Sequence, residues 1–424
     1  MLAQKEKNSH PRRARRITKK ILVSFRVLSG SFLGWFRLVR VKEHEGKYSH
    51  FIKKPIVRII AIFLLTRLLL SSWVVIVRYI FPFPINNNNL VYMNVPPENN
   101  LWLEPWQRWD TIHYQAIAIH GYTAFDSALF TPPLFPILIK LTTPFLAGNS
   151  LLAALLVSNI ALIILLISLY RIALLNFRDD RRAYRVVGAL LLYPTSFFLF
   201  AAYSEALFLL WAILAVDAIQ HRYWIRASVL TGLAGLTRMP GLLLFLALAY
   251  SLLIESYNQR RIAIILHFLW GFLIFALFPL YVVIVMKKPF LAILHAVGRG
   301  GTITFPGINL FEAGSRIIKG QLVTENLLEL IFTLILVGLV AMGWEKYHPV
   351  YRIYSASFLI FYLMRLGSPQ PLIGMARYTL AVFPIFFTLA DQQYQPVVKR
   401  TVIILALFMQ LFLSGQFAIG GWVG

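Results

Sequence analysis

Apolar positions along this chain run on without alternation and with few polar interruptions. LLAALLVSNIALIILLISLY (151–170) and IAIILHFLWGFLIFALFPLYVVIV (262–285) are each long enough to cross hydrocarbon as a helix. A strand-built barrel would instead show short segments of alternating polarity. Comparable runs predict spans near 56–80, 150–170, 186–201, 203–220, 262–286, 326–343, 350–364, 377–390 and 399–420. LTRMPG (236–241) interrupts the apolar stretch 227–257 and RR (260–261) follows it, so that stretch reads as a hairpin of two short helices. Broken helices at membrane depth are tolerated only against protein or a water-filled cavity. Residues 129–147 carry four prolines and Lys140, and read as juxtamembrane or re-entrant. The expected fold class is all-α, a polytopic membrane protein of about eleven membrane segments.

Composition agrees with this pattern. Of 424 residues, 58% are hydrophobic and only 14% charged, with a mean hydropathy of +0.69. A soluble fold would lack the polar skin to cover such a core, which excludes a soluble enzyme, a nucleic-acid-binding domain and a disordered chain. The formal net charge of +24 is unevenly placed. Residues 1–55 hold 15 Lys/Arg against three Glu, as the positive-inside rule asks of a cytoplasmic N-terminus. Within this arm, 21–40 reads as an amphipathic helix lying on the inner leaflet, where its arginines meet anionic lipid. The arm does not read as a cleavable signal peptide, because Arg26, Arg37 and Arg40 interrupt its first apolar stretch. The transmembrane domain then covers 56–424, with a long outer loop at 81–149 and a second at 287–325. From 81 to 128 the loop carries four acids against the single Arg108.

Ionisable residues within or at the rim of membrane spans are costly and mark functional candidates. In WQRWDTIHYQAIAIHGY (106–122), a short helix is predicted from Asp110, ended by Gly121. His113 and Tyr114 fall on the face that carries the Asp110 carboxylate. Trp106 and Trp109 flank the group, which suits a water-poor cleft for a polar ring. The simpler role for Asp110 is that of a helix N-cap. Arg238, Arg299, Arg365 and Arg377 are outer-side cations, and together they would form a phosphate receptor through bidentate donation. Singly, each would snorkel to lipid headgroups. In YPTSFFLFAAYSEALFLL (193–210), Pro194 kinks a span, Ser196 and Ser204 can satisfy freed backbone groups, and Glu205 offers a second acid. HExxH, P-loop and Cys/His metal spacings are all missing, as is any visible internal repeat.

RWDTIHYQAIAIHGY, PPLFPILI, YPTSFFLFAAYSEALFLL, GLTRMPGLLL and RYTLAVFP follow one another in an order that resembles the PIG-V family. That family comprises the second GPI mannosyltransferase and its prokaryotic relatives, within the GT-C class of membrane glycosyltransferases. The resemblance covers about residues 55–420 and implies a GT-C helical bundle whose first outer loop carries an aspartate base. It also implies a polyprenyl- or dolichyl-phosphate sugar donor, commonly mannose, a lipid or glycan acceptor, and an inverting reaction without a metal or other cofactor. Asp110 matches the family's W-D position; Tyr193, Pro194, Ser196, Ser204 and Glu205 match its YPxSFF…SEALFL segment. Arg238 matches TRxxG, and Arg377 the RY near the last spans. In that scheme Asp110 is the base and Arg238 and Arg377, with Arg365 and Arg299, grip the phosphate. Trp109, His113, Tyr114, Glu205, Ser204 and Tyr193 hold sugar or acceptor. The chain departs from the family at FDSALFTPPLFP, where Pro132 and Pro133 replace aromatics. The rival readings are a lipid or polysaccharide transporter, and a glycosyltransferase for a different sugar or acceptor. Short loops point to a prokaryotic plasma membrane, or to the endoplasmic reticulum in a eukaryote.

Overall fold

The computed structural model describes residues 48–81, 91, 93–124, 128–298, 301–321, 323–392 and 395–423. The predicted interfacial helix at 21–40 and Arg299 lie outside the described residues. Of two compact units, Met1–Val57 and Arg58–Gly424, the second holds all the chemistry below.

The described residues are mostly helical, as the apolar runs predict. Among the described residues, six helices are long and apolar enough to cross a membrane: Lys54–Ile80, Ser150–Phe177, Met239–Gln259, Ile262–Ile284, Val323–Lys346 and Pro396–Ala418. Their outward faces expose side chains such as Leu64, Leu68, Leu273, Leu277, Ile404 and Phe408, which only hydrocarbon would leave unpenalised. Glu205–Gln220 is instead apolar on almost every side and buried on almost every side. It lies between Ser150–Phe177 and Trp224–Thr237 and forms the middle of the bundle.

Trp224–Thr237 packs on Phe268–Ile284 through small residues. A Cβ on Gly271 would sit 2.3 Å from the Ser228 carbonyl oxygen, so only glycine permits the approach. The Gly271 N–H donates to Ser228 Oγ at 2.7 Å across this seam.

Several predicted spans differ from the structure. The stretch 186–201 is not one helix: Asp180–Leu191 ends, turns through Tyr193–Ser196, and a single turn Phe197–Phe200 follows. Pro194 cannot continue the ladder, and Ser196 Oγ donates to the Leu191 carbonyl, 2.7 Å away. The stretch 377–390 is likewise divided, into Met375–Tyr378, Thr379–Ala381 and Pro384–Asp391, with Pro384 opening the last helix. The apolar stretch 227–257 breaks at the predicted place: Arg238 is extended, and the chain turns back so closely that a Cβ on Gly241 would lie 2.4 Å from the Ala234 carbonyl. In the region 129–147 the apolar helix Leu134–Leu146 is too short to span hydrocarbon, at about 20 Å. A two-stranded ribbon adds to the helices: Gly301–Ile303 pairs antiparallel with Arg365–Gly367, joining the region 287–325 to the segment before Arg377.

Candidate active site

The predicted helix after the WD pair is present as Asp110–His120, with Gly121 as its C-cap. Two residues ahead of Asp110 lock this helix to the end of the chain. Arg108 is buried and donates to the Ala418 carbonyl through Nε (3.2 Å) and Nη2 (3.0 Å), and to Glu104 Oε1 at 2.6 Å. Trp109 donates from Nε1 to the Gly421 carbonyl at 3.2 Å and meets Trp422 edge-on, 5.0 Å between ring centres. Its φ of +49° is a strained value for a tryptophan, held by these contacts. Trp109, not Asp110, occupies the cap position and makes no side-chain cap bond. The Asp110 carboxylate is therefore not spent on capping.

It is spent on a cation 267 residues away. Arg377 Nη1 donates to Asp110 Oδ2 at 2.7 Å, and Arg377 Nε lies 3.3 Å from Glu205 Oε1. Arg238 pairs with that same Glu205 oxygen through Nη1, which also donates to Ser204 Oγ at 3.3 Å. Ser204 Oγ shares a hydrogen bond of 2.8 Å with the Tyr114 hydroxyl. His113 Nδ1 stands 3.6 Å from Asp110 Oδ1, and the Asp110 N–H donates to the Tyr203 hydroxyl at 3.3 Å. The Arg377 guanidinium lies 5.4–5.5 Å from the ring centres of Phe198, Tyr203 and Tyr378, a cation–π setting.

Local structure explains why these signs sit where they do. Asp110 and Glu205 each open a helix, where the N-terminal dipole favours a carboxylate. Arg238 closes Trp224–Thr237, and Arg377 falls in the last turn of Met375–Tyr378, where a cation is favoured. Two acids and two arginines thus balance in a site that is mostly buried. Burial alone would push the Asp110 carboxyl up, but the Arg377 guanidinium and His113 hold it well below the usual carboxylate range. The Asp110 side chain is also the most accessible of the four, at 23% against 7% for Glu205. Glu205 has no well-formed hydrogen bond to either oxygen, although it is buried. A cleft lined by Glu205, Phe208, Arg238, Tyr362, Arg377 and Tyr378 opens beside the cluster.

The residues singled out from the sequence divide into three groups. Asp110, His113, Tyr114, Ser204, Glu205, Arg238 and Arg377 meet in one network. Arg365 is adjacent: its Nη1 donates to the Ile373 carbonyl at 2.9 Å, and it lies 5.4 Å from the Tyr378 ring centre. Tyr193 packs its ring edge-on against Phe332 and Phe386 in the apolar core, and Trp109 faces the C-terminal residues. Sequence reasoning passed over Tyr203, Tyr362, Tyr378 and Glu329. Glu329 is a buried carboxylate in a membrane helix that accepts from the Gly374 and Ala376 N–H groups. Its signal was available, as an isolated acid in the apolar run 327–343.

Among the described residues, no three His, Cys, Asp or Glu side chains gather in a metal-binding group. The profile of a family described as dolichyl-phosphate-mannose-protein mannosyltransferase matches residues 131–284, about a third of the chain. The match takes in Tyr193, Ser204, Glu205 and Arg238, and leaves out Asp110 and Arg377. Among solved structures, the chain is similar to ArnT from Cupriavidus metallidurans bound to undecaprenyl phosphate. The identity is 16% and the TM-score 0.49, over 82% of this chain and 63% of that one. It is also similar to the archaeal oligosaccharyltransferase AglB from Archaeoglobus fulgidus, in complex with an inhibitory peptide and a dolichol-phosphate. There the identity is 12% and the TM-score 0.40, over 85% of this chain and 56% of that one. The chain therefore spans under two thirds of the length of either structure. Comparison with curated proteins gives no match.

Proposed function

We propose that this membrane protein is a GT-C glycosyltransferase that moves a sugar from a polyprenyl- or dolichyl-phosphate donor to a lipid-linked or glycan acceptor. The observation that carries the reading is the Asp110 carboxylate. It is free of the capping role, partly accessible, and 2.7 Å from an arginine that lines a cleft with a second arginine. The family match over 131–284 supports the same reaction class. Mannose as the sugar, and kinship with the PIG-V family, rest on the motif resemblance.

A sugar hydroxyl is a poor nucleophile, so a carboxylate must take its proton as it attacks. In the proposed step the acceptor oxygen bonds to the anomeric carbon and its proton passes to Asp110. The bond from that carbon to the phosphate oxygen breaks, and its electron pair leaves with the lipid phosphate. Arg238 and Arg377 stabilise the charge that develops there, in surroundings of low dielectric where fixed donors act strongly. Direct displacement inverts the centre and needs only one carboxylate, whereas a retaining glycosidase needs two. Glu205 then holds the two arginines at a fixed separation and keeps an unused acceptor for a sugar hydroxyl. The reaction needs no metal in this scheme, since the arginines supply the positive charge.

The test is transfer of radiolabelled mannose from a short-chain polyprenyl-phosphate-mannose to membrane lipids and glycans, with EDTA present. Label should move with wild-type protein, and the labelled product names the acceptor. If donor binds but no fraction becomes labelled, a different sugar or the transporter reading takes over. The transporter reading also predicts that Asp110→Asn leaves turnover intact.

A further inference from the structure

Arg377 can serve a phosphate only if its short segment is held still, and the structure shows what holds it. Met375–Tyr378 is a single helical turn, too short to stabilise itself. It follows Gly374, which has φ +84° and lies so close to Tyr378 that a Cβ would come within 2.9 Å of the ring. The free N–H groups at the start of this turn face the membrane helix Val323–Gly343. There Glu329 Oε1 accepts from the Gly374 N–H at 3.2 Å, and Oε2 accepts from the Ala376 N–H at 2.6 Å. The Ile373 carbonyl just upstream accepts from Arg365. The segment is therefore gripped from its donor side by Glu329 and from its acceptor side by Arg365.

We infer that Glu329 is a positioning residue for Arg377, an intramembrane carboxylate that spends both oxygens on the backbone of the segment presenting that guanidinium. An acid in a membrane helix is costly, and a packed leucine there would fill the space at less expense. The bidentate grip on two backbone N–H groups explains the choice of residue, because no apolar side chain can supply it. Glu329 sits one residue from Arg377 through Ala376, yet makes no hydrogen bond to the Arg377 side chain. It acts through the backbone. The inference builds on the reading of Arg377 as a phosphate ligand, and the experiment separates the two.

The full chain in nanodiscs is compared as wild type, Glu329→Gln, Glu329→Ala and Arg377→Ala. One readout is hydrogen exchange of peptides covering 370–380; the other is equilibrium binding of undecaprenyl phosphate. Glu329→Ala should speed exchange in 370–380 and weaken undecaprenyl phosphate binding about tenfold, the scale of a lost charge-assisted bond. Glu329→Gln keeps one acceptor and should recover part of both effects. Unchanged exchange in Glu329→Ala overturns the inference whatever the ligand does. Faster exchange with unchanged binding, when Arg377→Ala does weaken binding, shows that the grip does not position Arg377 and also overturns it. If Arg377→Ala itself leaves binding unchanged, the phosphate reading of Arg377 fails, and the exchange result alone decides the role of Glu329.

Discussion

Each end of the bundle carries a group of two acids and two cations, and the two groups are built in different ways. At one end, Asp110, Glu205, Arg238 and Arg377 have side chains between 7% and 23% exposed. At the other end, Arg182 bridges Asp179 and Asp391, and Lys346 reaches Asp391, with exposures of 20–62%. The 28-residue helix Ser150–Phe177 separates them, about 42 Å long at 1.5 Å per residue. Asp179 does the local work that Asp110 does not: its carboxylate caps the next helix by accepting from the Arg181 and Arg182 N–H groups. Pairs in contact with water cost little to desolvate and return little, whereas buried pairs are costly to form and costlier to break. The proposed chemistry calls for the second kind, fixed charges held beside a cleft.

The largest effect expected from breaking this contrast is on turnover. Asp110→Asn should reduce sugar transfer by about 10²–10⁴-fold, the range for loss of a general base. Donor affinity should persist, since both arginines remain. Retained transfer would remove Asp110 as the base and move attention to Glu205.

Stability comes next. Arg377→Ala strips Asp110 of its arginine, leaving His113 beside it, and leaves Glu205 with Arg238 alone, so unfolding should become easier by about 3–5 kcal/mol. Combining it with Asp110→Asn should recover part of that loss, because the orphaned charge is then gone. Thermal unfolding of purified protein measures both; strictly additive losses would mean that the pair is not coupled.

Acidity gives a finer test. The Asp110 carboxyl is held below its ordinary range, so what its ionised form contributes is fully present above the unfolded pKa near 3.9. That contribution is lost only as pH falls through the lower folded value. The pH profile of kcat/KM should therefore show no Asp110 limb above about pH 4. Arg377→Gln should move that limb upward by removing the main opposing charge. A wild-type limb above about pH 4 that disappears from the residual activity of Asp110→Asn would contradict the pairing.

Much of this arrangement was legible from the sequence, and what was hidden has physical causes. The helix from Asp110 to Gly121 and the break at Arg238 are local, written in an N-terminal acid, a glycine and the Met239-Pro240 pair. Asp110, Glu205, Arg238 and Arg377 stood out because charge near hydrocarbon is expensive. Which of them would pair was not legible, since a contact spanning 267 residues leaves no local trace. Hydropathy also merged 186–201 and 377–390 into spans, because buried turns around Pro194 and Pro384 are as apolar as the helices they interrupt. Arg365 looked like Arg377 in sequence, but its guanidinium turns to the Ile373 carbonyl.

The smallest expected effect comes from the opposite end, and it is the control that gives the others meaning. Arg182→Gln removes the cation that bridges Asp179 and Asp391. Asp391 keeps Lys346 at 2.7 Å, and Asp179 keeps its capping bond to the Arg181 N–H at 2.8 Å. No acid is left both buried and unpaired, so the cost in stability should be about 0–1 kcal/mol. Sugar transfer and its pH profile should match wild type, because the substituted charge is roughly a helix length from Asp110 and screened by solvent. A loss of transfer comparable to that of Asp110→Asn would mean that the two ends are coupled through the Ser150–Phe177 helix, and that burial alone does not separate the chemical cluster from the structural one.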